Sequence, residues 1–206
     1  MPQPDLVVAE RGVSAMTFGF YGKVPAIGDF VSRDISADQV ERLDDWFKAG
    51  LAYLQSKQTR WLDDYLVAPV WCFFIPAGIW GEHPLCGALM PSVDRVGRYY
   101  PLVAAGAVSQ ELLAEPVALY HRLAGLAERL PTLLPHNLMP DDILALLHHE
   151  DCGWESIEDD FRVAVERIFL SPRSSYWWVS GHTASCGIEH DVAPDEQLFA
   201  RLFSAC

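Results

Sequence analysis

Continuous apolar runs, Val70–Ile75, Leu85–Met90 and Pro101–Val108, constrain this chain more than any other feature. Bounded by Pro and Gly, they have the pattern of strands buried on both faces, which a sheet can accommodate only with helices covering it. Between the second and third runs lies PSVDRVGRYY, which puts Asp94, Arg95 and Arg98 inside a segment that otherwise reads as two buried strands. Gly97 supplies the backbone freedom of a tight connection. Charges near a core must be paired or reach water, so folding gains little from placing three of them there. Turns of this kind are where scaffolds present functional groups.

The remaining elements follow from periodicity. Met16–Tyr21 reads as a first strand, followed by the loop GKVPAIGDF over 22–30. Ser36 is a helix cap, and Val40, Leu43, Phe47, Leu51 and Leu54 recur at helical spacing to about Gln58. Trp61–Leu66 reads as further helical turns. Pro116 suits a first helical position, with Leu119, Leu123, Leu126 and Leu130 on one face. Asp141–His149 predicts a short helix, and Ile157, Phe161, Val165 and Ile168 mark another. Ser175–Ser180 and Ser185–Glu189 read as strands, and Pro194–Phe203 as a closing helix. Residues 1–15 are expected to be a flexible lead, and 16–206 one domain. The expected fold is α/β, a single layered domain with a mixed, largely antiparallel central sheet; short links between consecutive strands favour antiparallel pairing.

With 206 residues, half of them hydrophobic, the chain can bury a sizeable core. Its formal charge of −13 repels phosphate backbones and anionic lipid, so neither nucleic acid nor a membrane surface is an expected partner. Solubility explains such a charge, and attraction of a basic partner is the sharper reading. Five cysteines without a CxxC pair suit a reducing cytosol. The N-terminus has no signal-peptide pattern, and the apolar stretch Tyr65–Trp80 is broken by Pro69 and Pro76. A cytoplasmic, soluble protein is expected.

Each candidate motif has a plain reading beside its functional one. GKVPAIGDF lacks GxxxxGK[ST], so Gly22 and Gly28 read as turn formers. Asp29 reads as an acceptor of backbone N–H groups or a partner of Arg33 or another arginine. For Asp94, Arg95 and Arg98 three readings stand open: an oxyanion site built on guanidinium forks, a turn whose arginines pair with carboxylates such as Asp29 or Asp63, or a partner-binding anchor beside Tyr99 and Tyr100. His148, His149, Glu150, Asp151 and Cys152 are adjacent and cannot converge on one metal from a helix. His182, Cys186 and His190 match no standard zinc spacing. No metal and no cofactor is expected. Nucleophilic catalysis has no support, since GxSxG and HExxH are both missing.

Four segments, GKVPAIGDFVSR (22–33), WLDDYLVAPVWCF (61–73), LMPSVDRVGRYYPL (89–102) and SYWW (175–178), together resemble the TagF family, also called ImpM, of bacterial type VI secretion. The motif positions carried by the resemblance are Gly22, Lys23, Pro25, Gly28, Asp29, Phe30 and Arg33, then Trp71, then Pro91, Ser92, Asp94, Arg95, Gly97 and Arg98, and Trp177 and Trp178. The resemblance implies an α/β/α fold and a cytoplasmic, non-enzymatic repressor of secretion-machine assembly. It implies as partner the forkhead-associated scaffold protein of the apparatus, and it brings no catalytic residue. The alternative is a small ligand-binding or phosphoester-processing domain using Asp29, Asp94, Arg95 and Arg98 around a pocket. The tail after SYWW and the acidic region 141–160 depart from the family pattern.

Overall fold

The computed structural model describes residues 16–148, 173–179 and 187–204. Seven strands form one sheet: β1 (Gly19–Lys23), β2 (Phe30–Arg33), β3 (Trp71–Ile75), β4 (Leu85–Met90), β5 (Leu102–Ala107), β6 (Ser175–Val179) and β7 (Ile188–His190). Their order across the sheet is β2-β1-β5-β4-β3-β6-β7. Every pairing among them is antiparallel, so the parallel component allowed for by a mixed sheet drops out. Pairs such as β3–β4 and β4–β5 join strands consecutive in the chain, where a direct link reverses direction.

The side-chain alternation of each strand divides the core in two. Cys72, Phe74, Cys86, Ala88, Leu102 and Ala104 face one layer, made by α4 (Pro116–Arg129), a 3-10 turn at Leu130–Leu133 and α5 (Pro140–Leu147). Trp71, Phe73, Ile75, Leu89, Val103 and Trp177 face the other layer, made by α1 (Ala37–Lys57), α2 (Trp61–Val67) and α6 (Glu196–Phe203). Burial on both faces explains why these strands carry almost no polar residues. The expected α/β/α layering is therefore present.

Capping follows the sequence closely. Ser36 accepts from the Gln39 backbone while Gln39 reaches back to the Ser36 backbone, a complete capping box. Pro116 and Pro140 both occupy first-turn positions, where a missing N–H costs nothing. Two elements escape the periodicity. β2 starts at the last residue of the loop expected over 22–30 and runs through residues the periodicity assigns to no element, as does the four-residue α3 (Gln110–Leu113). The first strand sits at 19–23 instead of 16–21, because Gly22 and Lys23 pair with Val31 and Phe30. The lead over 1–15, the helix expected around 157–168 and the clusters at His149–Cys152 and His182–Cys186 lie outside the described residues.

Candidate functional site

At one end of β1 and β5, two loops meet. The first runs from Val24 to Asp29, with the Ile27 N–H donating to the Val24 carbonyl at 3.1 Å. Its entry depends on Gly22, whose φ is 142° and where a Cβ would lie 2.1 Å from the Pro101 carbonyl oxygen. Only glycine lets β1 approach the start of β5 that closely. The second loop is 91–100. A bridge joins Val93 to Tyr99, the Asp94 N–H donates to the Arg98 carbonyl at 3.0 Å, and the Tyr100 N–H donates to the Ser92 carbonyl at 3.0 Å. Gly97, with φ of 84°, closes the turn. The Arg95 N–H then donates to the Ile27 carbonyl at 3.1 Å, tying the loops together.

Inside this pair lies the Asp94 carboxylate, with a side chain 0% exposed. Its Oδ1 accepts the Val96 and Arg98 backbone N–H groups at 3.0 and 2.9 Å. Its Oδ2 accepts Lys23 Nζ at 2.6 Å and Arg98 Nε at 2.7 Å. Those four bonds use the acceptor sites a carboxylate offers. Burial by itself would raise the Asp94 carboxyl, but the bonds from Lys23, Arg98 and Val96 outweigh it and hold it well below the usual range. Lys23 is buried as well. Its backbone carbonyl accepts Ser92 Oγ at 2.6 Å, while the Ser92 N–H donates to the Tyr65 hydroxyl at 3.1 Å. Lys23 is thus committed to Asp94 and is no phosphate-loop lysine.

The outer surface is different in kind. Arg98 Nη2 donates to the Gly28 carbonyl, while its side chain stays 57% exposed. Arg95 lies over the same glycine: a Cβ on Gly28 would sit 3.6 Å from Arg95 Nη2 and 3.9 Å from Nε. Among the described residues the Arg95 side chain has no hydrogen-bond or ion-pair partner. Around the two guanidinium groups, Phe30, Val96 and Tyr99 are exposed. Phe30 is fixed in place, stacked on Tyr21 at 6.0 Å, edge-on to Tyr100 at 4.8 Å and capped by Lys23 Nζ at 4.7 Å from its ring. Tyr99 meets Tyr65 edge-on at 6.4 Å.

A third group braces the site from α1. Asp44 Oδ1 accepts the hydroxyls of Tyr21 at 2.6 Å and Tyr100 at 2.7 Å, and Oδ2 accepts Lys48. Partial burial would raise the Asp44 carboxyl, yet the bonds from Lys48, Tyr21 and Tyr100 bring it below its ordinary value. Burial, and then the Asp44 carboxylate, push both tyrosine hydroxyls up. Asp44 was not among the expected site residues. Apart from the i,i+4 pair with Lys48, its partners lie 23 and 56 residues away in sequence, so no local pattern marks it as part of the site.

The expected site residues therefore separate. Gly22, Lys23, Ser92, Asp94 and Gly97 build the loops, with Pro25 and Pro91 half-buried beside them. Arg33 pairs with Asp141 at 2.9 Å, and Asp29 accepts the Phe30 N–H at 2.8 Å. Asp63 pairs with Arg60, so neither Asp29 nor Asp63 neutralises Arg95 or Arg98. Trp71, Trp177 and Trp178 are core residues remote from a surface role. Trp71 Nε1 donates to the Leu202 carbonyl at 2.7 Å, and Trp177 stacks on Phe73 at 4.8 Å. What remains on the surface is Gly28, Phe30, Arg95, Val96, Arg98 and Tyr99. Among the described residues no group of three metal-ligating side chains converges, and no helix is long and apolar enough to cross a membrane.

Comparison with known proteins gives a consistent picture. The TagF N-terminal domain family, described as type VI secretion system-associated, matches residues 19–147. The chain is also similar to PA0076 of Pseudomonas aeruginosa PAO1, known from a crystal structure. The two are 27% identical with a TM-score of 0.64, over 91% of this chain and 94% of that one. No curated protein sequence matches the chain.

Proposed function

Because the chain belongs to the TagF family of type VI secretion-associated proteins, we propose that it is a non-enzymatic, cytoplasmic repressor of secretion-machine assembly. It acts by docking on a component of the apparatus, with the forkhead-associated scaffold protein as the partner that its sequence resemblance suggests. One observation carries the docking mode. The 91–100 loop is locked from within by Asp94 and tied to the 24–29 loop, so that Arg95, Val96 and Tyr99, with Phe30 at the start of β2, are held outward on an ordered backbone. Arginine and aromatic side chains held rigid before contact are favoured interface anchors, since little ordering entropy is lost on binding.

The same geometry argues against the phosphoester-processing alternative. A general base needs a free lone pair near its substrate, and Asp94 spends its acceptors on Lys23, Val96 and Arg98. Calorimetric titration of the full chain into the scaffold protein tests the proposal. A saturable one-to-one isotherm is expected. Absence of binding between two folded proteins would refute this partner.

A further inference from the structure

Building on that docking role, we propose that Gly28, Arg95 and Arg98 form a notch that binds a carboxylate, supplied by a single aspartate or glutamate of the protein partner. Both guanidinium groups converge on Gly28, Arg98 on its carbonyl and Arg95 over the position a Cβ would take. Two like charges gathered at one residue repel each other unless an anion lies between them. Arg98 is partly neutralised through Asp94, while Arg95 has no described partner and keeps its donor fork open. A guanidinium fork matches a carboxylate with two parallel hydrogen bonds.

Charge counting selects a carboxylate over a phosphate. Counted over the two loops, Lys23, Arg95 and Arg98 stand against Asp29 and Asp94, a net charge of +1, with Lys23 and Arg98 sharing Asp94 and no ion pair between Asp29 and either arginine. That suits a monoanion. The exposed rim of Phe30, Val96 and Tyr99 supplies the apolar border that excludes water around such a contact.

Two arms test the notch. In the first, the full chain is titrated with acetate at constant ionic strength while the arginine Nε resonances are followed by NMR, with chloride as control and inorganic phosphate as competitor. A saturable shift of the Arg95 resonance in acetate is expected. Equal, non-saturating shifts in acetate and chloride would overturn the site, and tighter binding of phosphate than acetate would overturn the choice of carboxylate. In the second arm, Arg95→Glu and Arg95→Lys are titrated into the scaffold protein. The Glu variant should bind at least about tenfold more weakly and the Lys variant less so, with melting temperatures unchanged. Full affinity in a folded Arg95→Glu would overturn the notch as a docking element and leave the repressor reading standing. If the wild type does not bind the scaffold, that reading loses its partner and the acetate arm alone decides the notch.

Discussion

Lys23 and Asp94 are the residues on which the candidate site depends, and their roles are structural. Removing Lys23 takes away the one buried cation on Asp94 and leaves it Arg98 and two backbone N–H groups, so Lys23→Met should destabilise the fold by up to about 3 kcal/mol in urea unfolding. Arg95→Ala, which breaks no described bond, should stay within about 0.5 kcal/mol of the wild type in the same assay. The Asp94 carboxyl titrates below its unfolded value of about 3.9. Its contribution to stability is therefore complete above that pH and is lost as the pH falls toward the lower, folded value. Urea titrations between about pH 5 and pH 2 should show a shallower loss for Asp94→Asn than for the wild type. Asp44 shifts in the same direction, so some acid sensitivity should remain. Sequence exposed half of this arrangement. Three charges in a core turn marked 94–98 as a place needing explanation, but Lys23 lies 71 residues from Asp94 and nothing local points from one to the other.

Among the elements, long regular ones were legible and short irregular ones were not. The apolar spacing of α1 and its Ser36 cap are set by residues within a few positions of one another, so they could be read directly. β2 has four residues, of which only Val31 is buried, and its identity comes from pairing with β1. That edge strand is blunted by its own neighbours: Asp29 accepts the Phe30 N–H, and Arg33 Nη1 donates to the Ser32 carbonyl. Packing of α1 against α6 makes a sharper demand. A Cβ at Gly50 would come within 2.1 Å of the Phe199 ring. Gly50→Ala should therefore lower stability by about 1–3 kcal/mol, although alanine is the better helix former, and denaturant unfolding would register the loss. Ser36→Ala, by removing one half of the capping box, should cost about 1 kcal/mol in the same measurement.

Across the whole molecule, the layered fold was readable because both-face burial leaves an unambiguous sequence pattern, whereas the functional surface was not. Motif residues that shape a loop and motif residues that touch a partner look alike in one sequence. Geometry separates them: Gly22, Lys23, Ser92 and Asp94 are buried, while Phe30, Arg95 and Tyr99 are exposed. The −13 charge acts at longer range. If it steers a basic partner toward this chain as a whole, the association rate constant should fall as salt rises, in stopped-flow mixing with the scaffold protein. The central claim, repression of the secretion machine, is tested most directly in cells. Secretion of the injected tube protein would be measured in the bacterium lacking this chain and again after the chain is restored. Secretion should rise on deletion and fall on restoration; unchanged or reduced secretion on deletion would contradict the account.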